Sequence, residues 1–125
     1  GWFGRAAVSD EKVAPMLYEL RTYTTVDGRL PALHKRFKDH TLKLFEKHGM
    51  KNEMYWIPTD AERKDNTLIY VVSHESQEAA DKSWKAFQAD PEWHAARDAS
   101  EKDGKILAKA PDRVYMTLAD YSPGK

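Results

Sequence analysis

The chain has no cysteine, which excludes disulfides, thiolate nucleophiles and thiolate metal sites together. It also has no run near the ~18–20 apolar residues that a membrane-spanning helix needs. Neither sign of charge is in surplus, because 20 basic residues face 20 acidic ones. No bulk field therefore draws the chain to nucleic acid or to anionic lipid. Phosphate-cradling loops are missing too, since the glycines stand singly at turns and helix ends. No HExxH pattern, clustered carboxylates or nucleophile elbow occurs. Neither a metal nor a cofactor is expected.

What is present is one soluble globular domain behind a short tail. The 125 residues suffice for one core and not for two. Residues 1–15 have no clean periodicity and carry the polar run Ser9-Asp10-Glu11-Lys12 before Pro15. They read as a flexible N-terminal tail, with the aromatic pair Trp2-Phe3 as a feature that would dock on the domain or on a partner. The compartment stays open: cytoplasmic, or exported after removal of an N-terminal signal. The folded domain is expected over 16–123.

The chain turns on Leu17-Tyr18-Glu19-Leu20-Arg21-Thr22-Tyr23, whose alternation and aromatic content predict a strand over 16–25. Glu19, Arg21 and Tyr23 share one of its faces. Asp27-Gly28 turns the chain, and Pro31 suits a first helical turn. Leu30, Leu33, Phe37, Thr41, Leu44 and His48 form one stripe at helical spacing up to Gly49. Residues 51–59 and 67–74 predict two strands around the polar loop 60–66. The second, Leu68-Ile69-Tyr70-Val71-Val72, is apolar on both faces and must be covered on both. Ser76 caps a second helix with Ala80, Trp84 and Phe87 on its apolar line. Asp90-Pro91-Glu92 caps a short third helix, and 113–118 predicts the last strand.

The order β-α-β-β-α-(α)-β implies an α+β, ferredoxin-like βαββαβ sandwich with an extra short helix, its helices on one face of an antiparallel sheet. The other face, still apolar, implies a homodimer packed sheet against sheet.

Taken together, Leu17-Tyr18-Glu19-Leu20-Arg21-Thr22-Tyr23, Asp39-His40-Thr41, Leu44-Phe45-Glu46-Lys47-His48-Gly49-Met50, Tyr55-Trp56, Asp90-Pro91-Glu92-Trp93 and Asp120-Tyr121-Ser122-Pro123 resemble the bacterial single-domain members of the NIPSNAP family. The resemblance covers about 17–123 and implies a dimeric α/β barrel. It implies no settled activity. The wider superfamily includes cofactor-free monooxygenases, haem-degrading enzymes and lactone isomerases, and fold kinship alone does not choose among them.

Glu19, Arg21 and Tyr23 are the leading candidates for a site. In one reading Arg21 grips an anionic ligand bidentately while Tyr23 donates a hydrogen bond; in the other, Glu19 and Arg21 form an internal ion pair. His40 and His48 lie on or beside the apolar stripe of the first helix, where imidazole would orient a ligand or simply satisfy the helix end or a strand. Trp56 and Trp84 would wall an apolar pocket, or pack the core with Tyr55 and Trp93. His34, His74 and His94 read as surface or loop residues. Two functions follow: a homodimer binding a small hydrophobic or anionic molecule between sheet and helices, with or without cofactor-independent catalysis, and a non-enzymatic protein-interaction module. Polar groups converging on a cavity above ~300 Å³ would favour the first. A filled interior with Glu19 and Arg21 fully paired would favour the second.

Overall fold

A computed structural model describes residues 16–124, and the expected tail with Trp2 and Phe3 lies outside the described residues. Four strands and three helices make an α+β fold. In chain order they are β1 (Leu17–Thr24), α1, β2 (Lys51–Trp56), β3 (Thr67–His74), α2 (Gln77–Ala89), α3 (Pro91–Ser100) and β4 (Asp112–Met116). Helix α1 is a composite of Leu30–Arg36, a π-helical stretch Phe37–Thr41 and Leu42–Lys47. The sheet is antiparallel throughout, in the order β2-β3-β1-β4.

Alternation decides which side chains meet. Along β1 the buried positions are Glu19, Arg21 and Tyr23, opposite Val72, Tyr70 and Leu68 of β3. These face the helices. Tyr18, Leu20 and Thr22 face outward with Val71, Ile69, Met116 and Val114 of the neighbouring strands. A bulge between Asn52 and Met54 sets the phase of β2. Tyr55 therefore stacks on Tyr70 on the helix side at 4.9 Å, while Met54 and Trp56 stand on the outer face.

Both outer strands are offset from the sequence expectation. β2 stops at Trp56, two residues before Pro58, which lacks the N–H a ladder needs. β4 runs from Asp112 to Met116, where it pairs with positions 18–22 of β1.

The helices begin and end where chemistry favours it. Gly28 and Gly49 take positive φ of 79° and 86°, closing the turn before α1 and its C-terminus. The Ser76 hydroxyl accepts the Ala79 N–H at 3.0 Å to cap α2, and Asp90 accepts the Glu92 N–H at 2.8 Å to cap α3. The π turn was not legible in the stripe. Its Leu42 N–H reaches back five residues to the Phe37 carbonyl, and the extra residue rotates the buried face. Along α1 adjacent residues are buried in pairs: Arg36 with Phe37, and Leu44 with Phe45.

Between sheet and helices lies an aromatic core. Phe45 sits at its centre, with ring centres of Phe87, Trp84 and Tyr70 at 5.1, 5.4 and 5.8 Å. Ile106, fully buried in the connector before β4, is held by its carbonyl, which accepts the Val26 N–H at 2.8 Å.

Candidate functional site

The buried charges of β1 do not stand alone. The Glu19 carboxylate is wholly buried, accepts from three side chains and is ion-paired with a fourth. Trp84 Nε1–H donates to Oε1 at 2.7 Å and His74 Nε2–H to the same oxygen at 2.8 Å. Arg21 Nη1–H donates to Oε2 at 3.2 Å, and Arg113 forms an ion pair with the same oxygen, Nε lying 2.9 Å away. Arg21 then carries the network inward: its Nε–H donates to the Tyr70 hydroxyl at 2.8 Å and its Nη2–H to the Tyr23 hydroxyl at 3.2 Å. The two hydroxyls are 3.0 Å apart. The Arg21 guanidinium also lies 4.3 Å from the Trp84 ring centre, a cation–π contact strengthened by burial.

Secondary structure explains this convergence. Glu19, Arg21 and Tyr23 are in phase on β1. Tyr70 and His74 are in phase on β3, and Arg113 and Tyr115 lie opposite Arg21 and Glu19 on β4. Trp84 comes from the inner face of α2.

Electrostatics then fixes the protonation of the cluster. Burial is the strongest single influence on Glu19 and raises its pKa. The donors His74 and Trp84 and the charges of Arg21 and Arg113 together outweigh it and hold the carboxyl below its ordinary 4.5. Burial also opposes the Arg21 charge, but the hydroxyl oxygens of Tyr23 and Tyr70 and the Glu19 carboxylate more than restore it. Burial drives the Tyr70 phenol far above its usual range, so it stays neutral. One carboxylate thus faces two guanidinium groups, leaving an excess of positive charge toward β4.

Two polar atoms of this neighbourhood are buried without a partner: His74 Nδ1 and Tyr115 Oη. Because Glu19 only accepts, His74 must present its Nε2–H to it, and Nδ1 is the free end of the imidazole. Arg113, ion-paired with the same Glu19, keeps nearly half of its side chain exposed, 44%. The cluster therefore reaches solvent past β4.

A second carboxylate ties the far ends of the helices. Asp90 lies 2.8 Å from Lys47 Nζ and 2.7 Å from His48 Nε2, and these two contacts hold its pKa far below the ordinary value. For both acids the folded pKa lies below the unfolded one. Their stabilisation is therefore complete above the unfolded pKa and is lost as pH falls through the folded one. Urea midpoints should drop on acidification below about pH 4.5. Asp90→Asn should show a shallower drop while Glu19 still supplies part of it. A midpoint independent of pH in that range would contradict this assignment.

Of the residues anticipated from sequence, Glu19, Arg21, Tyr23 and Trp84 are brought together. His40 and Trp56 are not. His40 falls in the π-helical stretch and is exposed, turned away from the sheet. Trp56 stands on the outer face, 46% exposed, because the bulge in β2 puts Tyr55 inward instead. His48 is occupied by Asp90 at the end of α1. The expectation that His74 is a surface residue is corrected: it is 1% exposed, at the last position of β3. Four members of the cluster were missed, namely Tyr70, His74, Arg113 and Tyr115. Alternation running on from Leu68 would have found the first two.

Two grooves lie elsewhere. One of about 450 Å³ lies on the outer face between Tyr18, Val71 and the C-terminal residues Leu118 and Tyr121. Another of about 270 Å³ separates α1 from α3. Among the described residues no cluster of three or more potential metal ligands occurs, and no helix is long and apolar enough to cross a membrane.

Comparison with known families places residues 18–123 on the NIPSNAP family model. A NIPSNAP family protein of unknown function from Agrobacterium tumefaciens shares 23% identity and superposes with a TM-score of 0.71, covering 87% of this chain and 93% of its own. Two oxygenases share the fold at greater distance. A monooxygenase from Streptomyces coelicolor, solved in complex with nanaomycin D, has 18% identity and a TM-score of 0.57, over 86% of this chain and 91% of its own. A cofactor-independent oxygenase from Streptomyces nogalater has 12% identity and a TM-score of 0.57, over 88% and 99%. No curated protein matches the sequence.

Proposed function

The chain belongs to the NIPSNAP family, and from that premise we propose that it is a homodimer whose helix-side cluster binds a small, weakly acidic apolar molecule, entering past β4. The observation that carries this is the free Nδ1 of His74, buried and unpartnered while its other nitrogen is held by Glu19. A carboxylate that fixes one imidazole nitrogen leaves the other as an oriented acceptor. A ligand hydroxyl placed there donates to Nδ1. If the proton transfers, the ligand O–H bond breaks, its electron pair stays on oxygen, and the imidazolium so formed is neutralised by Glu19. The fold shared with cofactor-independent oxygenases supports this chemistry by analogy only.

The dimer is supported by the outer face, where Met54, Trp56 and Val114 are 61, 46 and 53% exposed. Exposed apolar side chains at both edges of one sheet face are what a second copy of the chain would cover. A second reading has its own observation: Glu19 and Arg21 are fully paired in a filled interior, which favours an interaction module.

Thermal melting with nanaomycin D, simple phenols and aromatic acids separates the two. Saturating ligand should raise the melting temperature of the wild type, by an amount corresponding to about 2.7 kcal/mol at a hundred times Kd. His74→Gln, which can still donate to Glu19, should lose most of that shift. If none of the compounds raises the melting temperature, the interaction module stands instead.

A further inference from the structure

We infer that the groove between α1 and α3 is a second binding site, specific for a small molecule bearing an oxyanion, a phosphate ester or a short carboxylate. It is separate from the Glu19 cluster, so either site can fail without the other. The groove holds about 270 Å³, and the small side chains Ala32, Ala96 and Ala99 on its walls leave that space open.

Arg36 makes the groove more than a gap between helices. Its residue is only 4% exposed, yet it forms no ion pair with any carboxylate among the described residues. A guanidinium carries five N–H donors. Here one donates to the neutral Ser100 hydroxyl at 3.2 Å, and the group otherwise lies 5.0 Å from the Trp93 ring centre. Its Nε–H is buried without an acceptor. Arg29, which lines the same groove, repeats the pattern. One nitrogen donates to the Ser100 and Gly104 carbonyls, both at 2.9 Å, and its Nε–H is also buried and unpartnered.

The acids nearby do not resolve this. Asp39 is taken by Lys35 at 2.9 Å. Asp103 lines the groove but is exposed and touches neither arginine. Glu101 acts on Arg36 only at a distance and is opposed by Arg97. Two guanidinium groups without counterions at one concave site are what a bidentate oxyanion satisfies. His40, exposed at the same groove, adds a further donor when protonated.

Nitrogen-edited NMR of the arginine Nε–H groups tests this directly. Inorganic phosphate and acetate are titrated separately into the full chain at constant ionic strength. The Arg36 and Arg29 signals should move and saturate, while Arg63, paired with Asp60 on the surface, serves as the control and should not. A response to phosphate alone assigns a phosphoryl group, and a response to acetate as well assigns the shared oxyanion chemistry. Arg36→Met, which keeps packing against Trp93, should weaken binding roughly tenfold or more. Arg29→Lys provides the same test should the Met variant fail to fold. Signals of Arg36 and Arg29 that stay still, or that move only in step with Arg63, overturn the site.

Discussion

Replacing Glu19 with alanine is expected to destabilise the protein by about 3–5 kcal/mol, the cost of removing one partner from a buried ion pair. Total stabilities of small domains are about 5–15 kcal/mol, so this is a large share. Three donors and the ion-paired Arg113 converge on the carboxylate, and the three donor side chains have little access to water. Trp84 and His74 would each keep a buried N–H without an acceptor, and Arg21, 8% exposed, would keep its charge without a counterion. Arg113 loses least, because its half-exposed guanidinium can turn to solvent. The melting temperature should fall by about 10 °C or more. A companion variant isolates the cause. Glu19→Leu with Arg21→Met removes both charges, and it should be considerably more stable than the sum of the two single changes, since apolar residues of similar volume often replace a buried pair at little cost. Additive losses, or a loss below about 1 kcal/mol for Glu19→Ala, would mean the carboxylate does not anchor this core.

How much of this was legible in the sequence depended on whether the signal was local. Alternation in Leu17–Thr24 and the apolar run of β3 are local, and they identified both strands and put Glu19 and Arg21 on one face of the first. Ser76 and Asp90 announced the starts of α2 and α3, because a cap is a side chain bonding within three residues of itself. The partners of Glu19 were a different matter. His74, Trp84 and Arg113 are 55, 65 and 94 positions away along the chain, and only the strand register and the packing of α2 on the sheet set them against the carboxylate. His74 looked like a surface residue because a turn follows it directly, although two-residue alternation from Val72 placed it inward. The π turn and the β2 bulge each add one residue, which no periodic pattern encodes. The bulge explains why Trp56 is on the outer face, whereas Arg36, three residues after Leu33 in the regular turn before the π stretch, is buried by ordinary helical spacing.

The outer face supplies the other large effect. Val114 sits opposite Leu20 across the β1–β4 ladder, 53% exposed in a single subunit. Val114→Glu should therefore leave the fold of the subunit nearly unchanged. In a two-fold assembly packed sheet on sheet, the same substitution occurs twice in one interface. Each copy forfeits the burial of a valine, about 1.5–3 kcal/mol, and brings a carboxylate into a dry contact without a partner. The dimer should weaken by about 3–6 kcal/mol, a hundredfold or more in its dissociation constant. Trp56→Glu, at the opposite edge of the sheet, should act the same way, so both edges are tested. Light scattering across a dilution series should then show a wild-type dimer, both variants monomeric at micromolar concentration, and unchanged circular dichroism. A wild type already monomeric at that concentration would leave Met54, Trp56 and Val114 without a partner of their own kind, and the sheet-to-sheet assembly would be refuted.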